Sequence, residues 1–169
     1  VPSEWPLAAL GLDMDPGTGR LWVSPAAFSP SGVHVELLPD DLLSEGTQRA
    51  VQWVWDRARR RRPVVMPAES PATVMVPDLL ARGVKVYQLN GPEVAQASSG
   101  FEKAMREAAV SHYADPVLEA CVKESERERY RGSGQYKFKR TGEFHAAPLY
   151  AAVCAHFGAV RRGRRAVVD

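Results

Sequence analysis

The chain has 169 residues, 45% of them hydrophobic, which is enough to bury one sizeable core and reads as one domain. Its 22 Lys and Arg against 20 Asp and Glu leave a net charge of +2, so bulk charge names no partner. No stretch is apolar enough to span a bilayer, Val1 to Trp5 lacks the basic start of a signal peptide, and the two cysteines, Cys121 and Cys154, sit in apolar helical surroundings. They read as buried reduced thiols in a cytoplasmic protein rather than as a disulfide or a zinc site. A start at Val rather than Met reads as a trimmed piece or a domain of a larger chain.

Leu7–Met14, Leu21–Phe28 and Val33–Leu38 are predicted strands separated by the hairpin-length turn signals PGTG and SPSG, which makes a meander. His34, spaced two residues from Glu36, is expected on the exposed face of the third. Thr47 can cap a helix whose apolar face is Ala50, Val51, Val54, Trp55 and Ala58, and whose basic end, Arg57–Arg62, suits the helix dipole before Pro63. Val64–Met66 is a short apolar strand, Thr73–Ala81 a helix stopped at Gly83, and Val84–Leu89 a fifth strand, the order of parallel crossover units.

Helices are expected at Glu93–Ala109, from Pro116 to about Arg127, and at Pro148–Phe157, followed by a basic tail over 161–169. His112 falls between two of these helices, as a cap or a bridge, or else as a contact to the active site or a phosphate. His156 reads as a packing residue beside Phe157. Tyr130–Arg140, YRGSGQYKFKR, reads as a hairpin or flexible loop; alternation puts Tyr136 and Phe138 on one face and Lys137 and Lys139 on the other. With Arg131 and Arg140 these lysines are the expected contacts to a nucleic-acid backbone, though aromatics plugging the core and lysines keeping an edge soluble explain the same pattern. The sum is an α/β sheet of mixed direction, three antiparallel strands plus two parallel ones, over residues 1–160. G-x-x-x-x-G-K-[ST], G-x-G-x-x-G after a strand and G-x-S-x-G are all missing, so the chain is not an ATPase by its own residues.

The first strand ends in an acid, LGLDMD, before its turn. The order GLDMD, RPVVMPAESPA, LLARGVKV, AQASSGFEKAMREA, SHYADPVLEACV and RTGEFHAAPLYAAVCAHFG resembles the nuclease domain of phage terminase large subunits over nearly the whole chain. Its most specific parts are His112, Pro116, Leu118 and Cys121 in an H-x-x-x-P-x-L-x-x-A segment, and Pro148–Ala152 in P-L-x-A-A.

That resemblance implies an RNase H-like fold and a metal-dependent endonuclease that cuts double-stranded DNA during packaging, with an ATPase domain in the full-length chain and a portal protein as partners. It implies two Mg²⁺ or Mn²⁺ ions, which prefer carboxylate oxygens and can clamp both oxygens of a phosphodiester displacement. The first family acid matches Asp13, with Asp15 on the same strand face as a helper. The second falls at Met66, whose thioether cannot replace a carboxylate; Glu69, three residues on, either supplies the missing oxygen or is an exposed loop acid. The third falls at His145, with Glu143 nearby, and His145 is either a ligand for Mn²⁺ or a softer metal or a polar residue at the helix start. The expected site is therefore Asp13, Glu69, Glu143 and His145. The alternative is a catalytically silent RNase H-like domain that binds DNA or a packaging partner.

Overall fold

The computed structural model describes residues 4–38, 46–58, 62–131 and 134–166. Strand β1 (Leu7–Met14) pairs antiparallel with β2 (Leu21–Ser29), and β2 with β3 (Gly32–Val35), which is the predicted meander. After α1 (Thr47–Ala58) the chain returns as β4 (Val64–Pro67), parallel to β1. A 3₁₀ turn (Pro71–Met75), capped by the Ser70 side chain, runs into α2 (Val76–Ala81), and β5 (Val86–Leu89) adds parallel to β4. The expected helix start at Thr73 is thus a tighter turn, with Pro71 at its head. The fifth strand starts two residues late because the Val84 amide donates to the Leu79 carbonyl at the end of α2.

Helix α3 (Gly91–Arg106) begins at a capping box, Asn90 with Glu93, and then the chain crosses to the opposite edge of the sheet. There β6 (Val110–Ser111), a strand the sequence did not reveal, lies parallel to β3. The sheet order is β5-β4-β1-β2-β3-β6. Helix α4 (Pro116–Glu124) is capped by Asp115 and stops short of Arg127. Arg127–Arg129 instead forms β7, which pairs with β8 (Tyr136–Phe138) as a separate two-stranded ribbon.

Helix α5 (Ala147–Ala166) runs nine residues past the expected end at Phe157, so residues 161–166 are helix rather than tail; 167–169 lie outside the described residues. The reason lies at Gly158. A Cβ there would stand 2.8 Å from Ala9 Cβ and 2.9 Å from Val65 Cγ2, so this glycine lets the helix press on the sheet rather than ending it. At Gly11 the approach is closer still, 1.9 Å from an added Cβ to the Ala151 carbonyl oxygen, and the small residues Ala151, Ala152, Ala155 and Ala159 make this face flat enough. Helix α5 therefore lies backbone-to-backbone on the central strand.

Side chains alternate across the sheet. Leu10, Leu12, Met14, Val64 and Met66 face α1 and α2, packed with Val51, Val54 and Leu79. Gly11, Val65 and Asp13 face α5. Cys121 and Cys154 are both buried, free thiols; burial pushes Cys121 up to about 11 and Cys154 well above its usual range. Among the described residues no helix is long and apolar enough to cross a membrane.

His34 corrects an expectation, being only 2% exposed. β6 and the rings of Trp5 and Tyr113 cover it, at 5.1 and 4.9 Å between centroids, and its two nitrogens lie 2.9 Å from Ser111 Oγ and Glu36 Oε1. His112 is exposed in the segment after β6, its Nδ1 2.7 Å from the Tyr113 carbonyl oxygen, so it bridges no helices. His156 packs edge-on against Phe101, and burial pulls it down to about 4. Of the basic run after α1, Arg57 stacks on Trp53 at 3.7 Å and Arg62 donates to the Arg57 carbonyl; 59–61 lie outside the described residues.

Candidate active site

The end of β1, the turn after β4, the β7–β8 ribbon and the start of α5 meet around a cleft of about 380 Å³, lined among others by Glu69, Lys137, Phe138, Arg140 and Tyr150. Asp13 lies behind the lining residue Arg140 and is 0% exposed. Arg140 Nη1 donates to Asp13 Oδ2 at 2.7 Å and Nη2 to Oδ1 at 3.2 Å, a two-point grip on both carboxylate oxygens. Ser70 adds a hydroxyl contact to the same carboxyl, while its oxygen accepts from the Met14 and Ala72 amides. Burial outweighs these bonds and holds the Asp13 carboxyl above its usual range.

Arg140 is itself well covered, its side chain 21% exposed and its guanidinium stacked 4.7 Å from the Tyr150 ring centroid. Burial works to lower its pKa, but the hydrogen bond and charge of Asp13 win and raise it. Tyr150, buried against them, donates its hydroxyl to the Phe138 carbonyl.

Asp15 stands two residues on, on the same face, and its carboxylate is committed elsewhere. Oδ1 accepts from the Gly17 amide at 2.7 Å and the Thr18 amide at 3.2 Å, with His145 Nδ1 2.9 Å away. Burial alone would raise this carboxyl; the two amides and the His145 charge lower it instead. Oδ2 is buried with no protein partner. His145 and Ala146 both take left-handed backbone, φ 48° and 55°, in the turn that starts α5, and Phe144 packs edge-on against Trp22 to hold that turn.

The expected metal ligands are not brought together. His145 reaches Asp15 rather than Asp13, although its carbonyl accepts from Arg140 Nη1 at 3.3 Å. Glu69 is 55% exposed across the cleft, its carboxylate 3.9 Å from Lys137 Nζ. Glu143 is exposed on the α4 side of the turn, where Cys121 feels its charge. Met66 corrects the alignment itself. It is 0% exposed in the core beneath α1 and α2, on the far face from Asp13. Gly11 pairs with Val65, so two residues further along parallel strands Asp13 stands beside Pro67, which has no carboxylate to offer.

A two-ion centre needs several carboxylates converging on one point. Both oxygens of Asp13 are held by Arg140, its neighbouring strand position is Pro67, and among the described residues no group of three or more His, Cys, Asp or Glu is placed to hold a metal ion. Asp15 Oδ2, the one unpartnered buried carboxylate oxygen among the described residues, belongs to no such group. The residues in this arrangement do not fit a two-ion site.

Of the cations expected at a nucleic-acid backbone, Lys137 faces the cleft, Lys139 pairs with Glu126 at 2.7 Å, and Arg131, exposed at φ 44°, lies 5.5 Å from the Tyr130 ring centroid. Arg140 is the one tied to the acid. Ser70 and Tyr150 were missed by sequence reasoning. Ser70 carried the signal of a cap before Pro71; Tyr150 looked like one more apolar residue of a helix.

A mixed sheet with an antiparallel meander on one side, parallel strands on the other and a long helix laid over an acid at the end of the central strand defines an RNase H-like fold of the terminase nuclease type. Solved structures of phage large terminases share it. The large terminase nuclease from thermophilic phage G20c, solved with bound magnesium, superposes with a TM-score of 0.63 at 15% identity over 89% of this chain and 80% of that one; a further structure of it holds cobalt. The Thermus phage P74-26 large terminase nuclease domain gives 0.60 at 15% identity, over 88% and 77%. The HK97 bacteriophage large terminase gives 0.67 at 16% identity, covering 94% of this chain and 40% of that longer one. No family model matches the sequence, and no curated protein matches it.

Proposed function

We propose that this chain is the nuclease-fold domain of a phage or prophage DNA-packaging terminase large subunit, and that its cleft engages the backbone of double-stranded DNA. The domain would act in the host cytoplasm, joined to an ATPase domain and docked on a portal-type partner. The shared fold and the cation Lys137 facing the cleft support this reading. The carrying observation for the fate of the DNA is the Arg140 grip on both oxygens of Asp13. A carboxylate so held already has its counter-charge and, fully buried and in no metal-holding group among the described residues, is not placed to hold a metal, so the domain in this arrangement holds DNA without cutting it.

A second reading, metal-dependent endonuclease activity through Mg²⁺ or Mn²⁺ at Asp13, Glu69, Glu143 and His145, draws on one observation: Asp13 keeps the strand-end position expected of the first ligand, with the unpartnered Asp15 Oδ2 near it. It requires Arg140 to leave. Incubating the chain with supercoiled plasmid in Mn²⁺, Mg²⁺ or EDTA separates the two. Retarded but intact plasmid in all three is the expected result. Metal-dependent nicking that disappears in Asp13→Ala would establish the second reading, and plasmid neither retarded nor cut at low salt would remove both.

A further inference from the structure

We propose that Glu102, on α3 and outside the cleft, is a positioning residue: it fixes the β7–β8 ribbon so that Lys137 and Arg140 face the cleft. This rests on the DNA-binding reading above. Glu102 is 8% exposed, and a carboxylate so buried must find donors. It has three. Arg106, one turn along the same helix, and Arg127 on β7 both donate to Oε1, and the Tyr136 hydroxyl on β8 donates to Oε2. Arg106 would serve α3 wherever the ribbon went, but Arg127 and Tyr136 belong to the two strands of the ribbon, so one carboxylate ties down both.

The ribbon needs such a tie. It has three residues per strand and joins no other strand among the described residues, and an isolated two-stranded ribbon is marginal in water. Its contact with Tyr150, through the Phe138 carbonyl, fixes only the end nearest α5. Phe138 seats that strand in the core, Glu102 adds the polar tie to both strands, and Arg127 stacked 4.8 Å over the Tyr136 ring closes the cluster. Strand alternation then aims the cations. With Tyr136 and Phe138 turned inward, Lys137 must point outward, to 3.9 Å from Glu69 across the cleft, and Arg140 arrives two residues after Phe138 at Asp13.

The test uses the full chain as wild type, Glu102→Ala, Glu102→Gln and Tyr136→Phe. Hydrogen exchange is read over 127–138 and over β1 and α5, and binding of a short duplex is read against salt. In Glu102→Ala the ribbon amides should exchange at least tenfold faster while those of β1 and α5 keep their rates. The salt slope should become shallower by about 0.9, the one phosphate contact of Lys137. Glu102→Gln, which keeps an acceptor for Tyr136, should fall between wild type and Glu102→Ala. Unchanged ribbon exchange with an unchanged slope overturns the proposal. If Glu102→Ala unfolds, Tyr136→Phe removes one tether without removing the charge, and faster ribbon exchange there supports the proposal while wild-type exchange overturns it. A wild type that binds no duplex would sink the DNA reading alone; faster ribbon exchange in Glu102→Ala would still support Glu102 as the ribbon's anchor.

Discussion

Replacing Arg140 by alanine leaves the Asp13 carboxylate buried without its counter-charge. Two responses are open to the folded chain. It can keep the unpaired charge, which costs about 3–5 kcal/mol, or protonate Asp13. Protonation sets a ceiling: from an ordinary value of 3.8, each pH unit costs about 1.4 kcal/mol, so the penalty cannot exceed about 4 kcal/mol at pH 7 or about 2 kcal/mol at pH 5. The direction of the shift gives the sign. A carboxyl raised in the folded state binds its proton more tightly there, so the penalty is absent below the unfolded value and grows as pH rises. Losing the stack on Tyr150 adds a part that does not depend on pH. Urea unfolding of wild type, Arg140→Ala, Asp13→Asn and the double variant at pH 5 and pH 7 reads these quantities. The Arg140→Ala deficit should be larger at pH 7 than at pH 5 by up to about 3 kcal/mol, and adding Asp13→Asn should remove most of it. A deficit equal at both pH values, or one that Asp13→Asn leaves in place, refutes the argument that the pair is held by burial of the acid.

Gly11→Ala should lower stability by about 3 kcal/mol or more in thermal unfolding, because the added carbon meets the backbone of α5, which cannot step aside. Gly19→Ala, at φ 72° with open space around it, should cost only about 1 kcal/mol; equal losses would deny the close approach of α5 to β1. His156 is buried neutral and lowered to about 4, so its contribution is fully present above about 6.5 and is lost as pH falls towards 4, a total of about 3 kcal/mol. Urea titrations across that window should be visibly flatter for His156→Leu than for wild type, and parallel curves would show that the histidine is not the group responsible.

Much of the scaffold was legible because its signals are local. PGTG and SPSG sit between the strands of the meander, Thr47 stands ahead of an apolar face spaced three and four, and Gly83 follows the short helix before the fifth strand. The features that escaped were decided by partners distant in sequence. β6 is two residues long and exists because the Gly32 backbone can approach the Ala109 carbonyl, which no side-chain pattern encodes. His34 alternates with Glu36 as a solvated face would, yet β6, Trp5 and Tyr113 cover it. Val64–Pro67 is apolar throughout, so its sequence carries no alternation to say which residue joins Asp13; the parallel register does, and it selects Pro67 over Met66. Arg140 reads as one more cation in an aromatic and basic run, and only the folded chain couples it to an acid near the other end.

That coupling has a consequence for how the chain comes into being. Asp13 and Arg140 are separated by 127 positions, and the helix that shields them comes still later. The central strand is therefore made with its carboxylate still hydrated, and that acid stays without its counter-charge until the 127 positions up to Arg140 have followed. A nascent chain halted ahead of Arg140 carries the acid but neither the guanidinium nor the helix that covers it, so the site depends on contacts of high sequence separation rather than on gradual accretion.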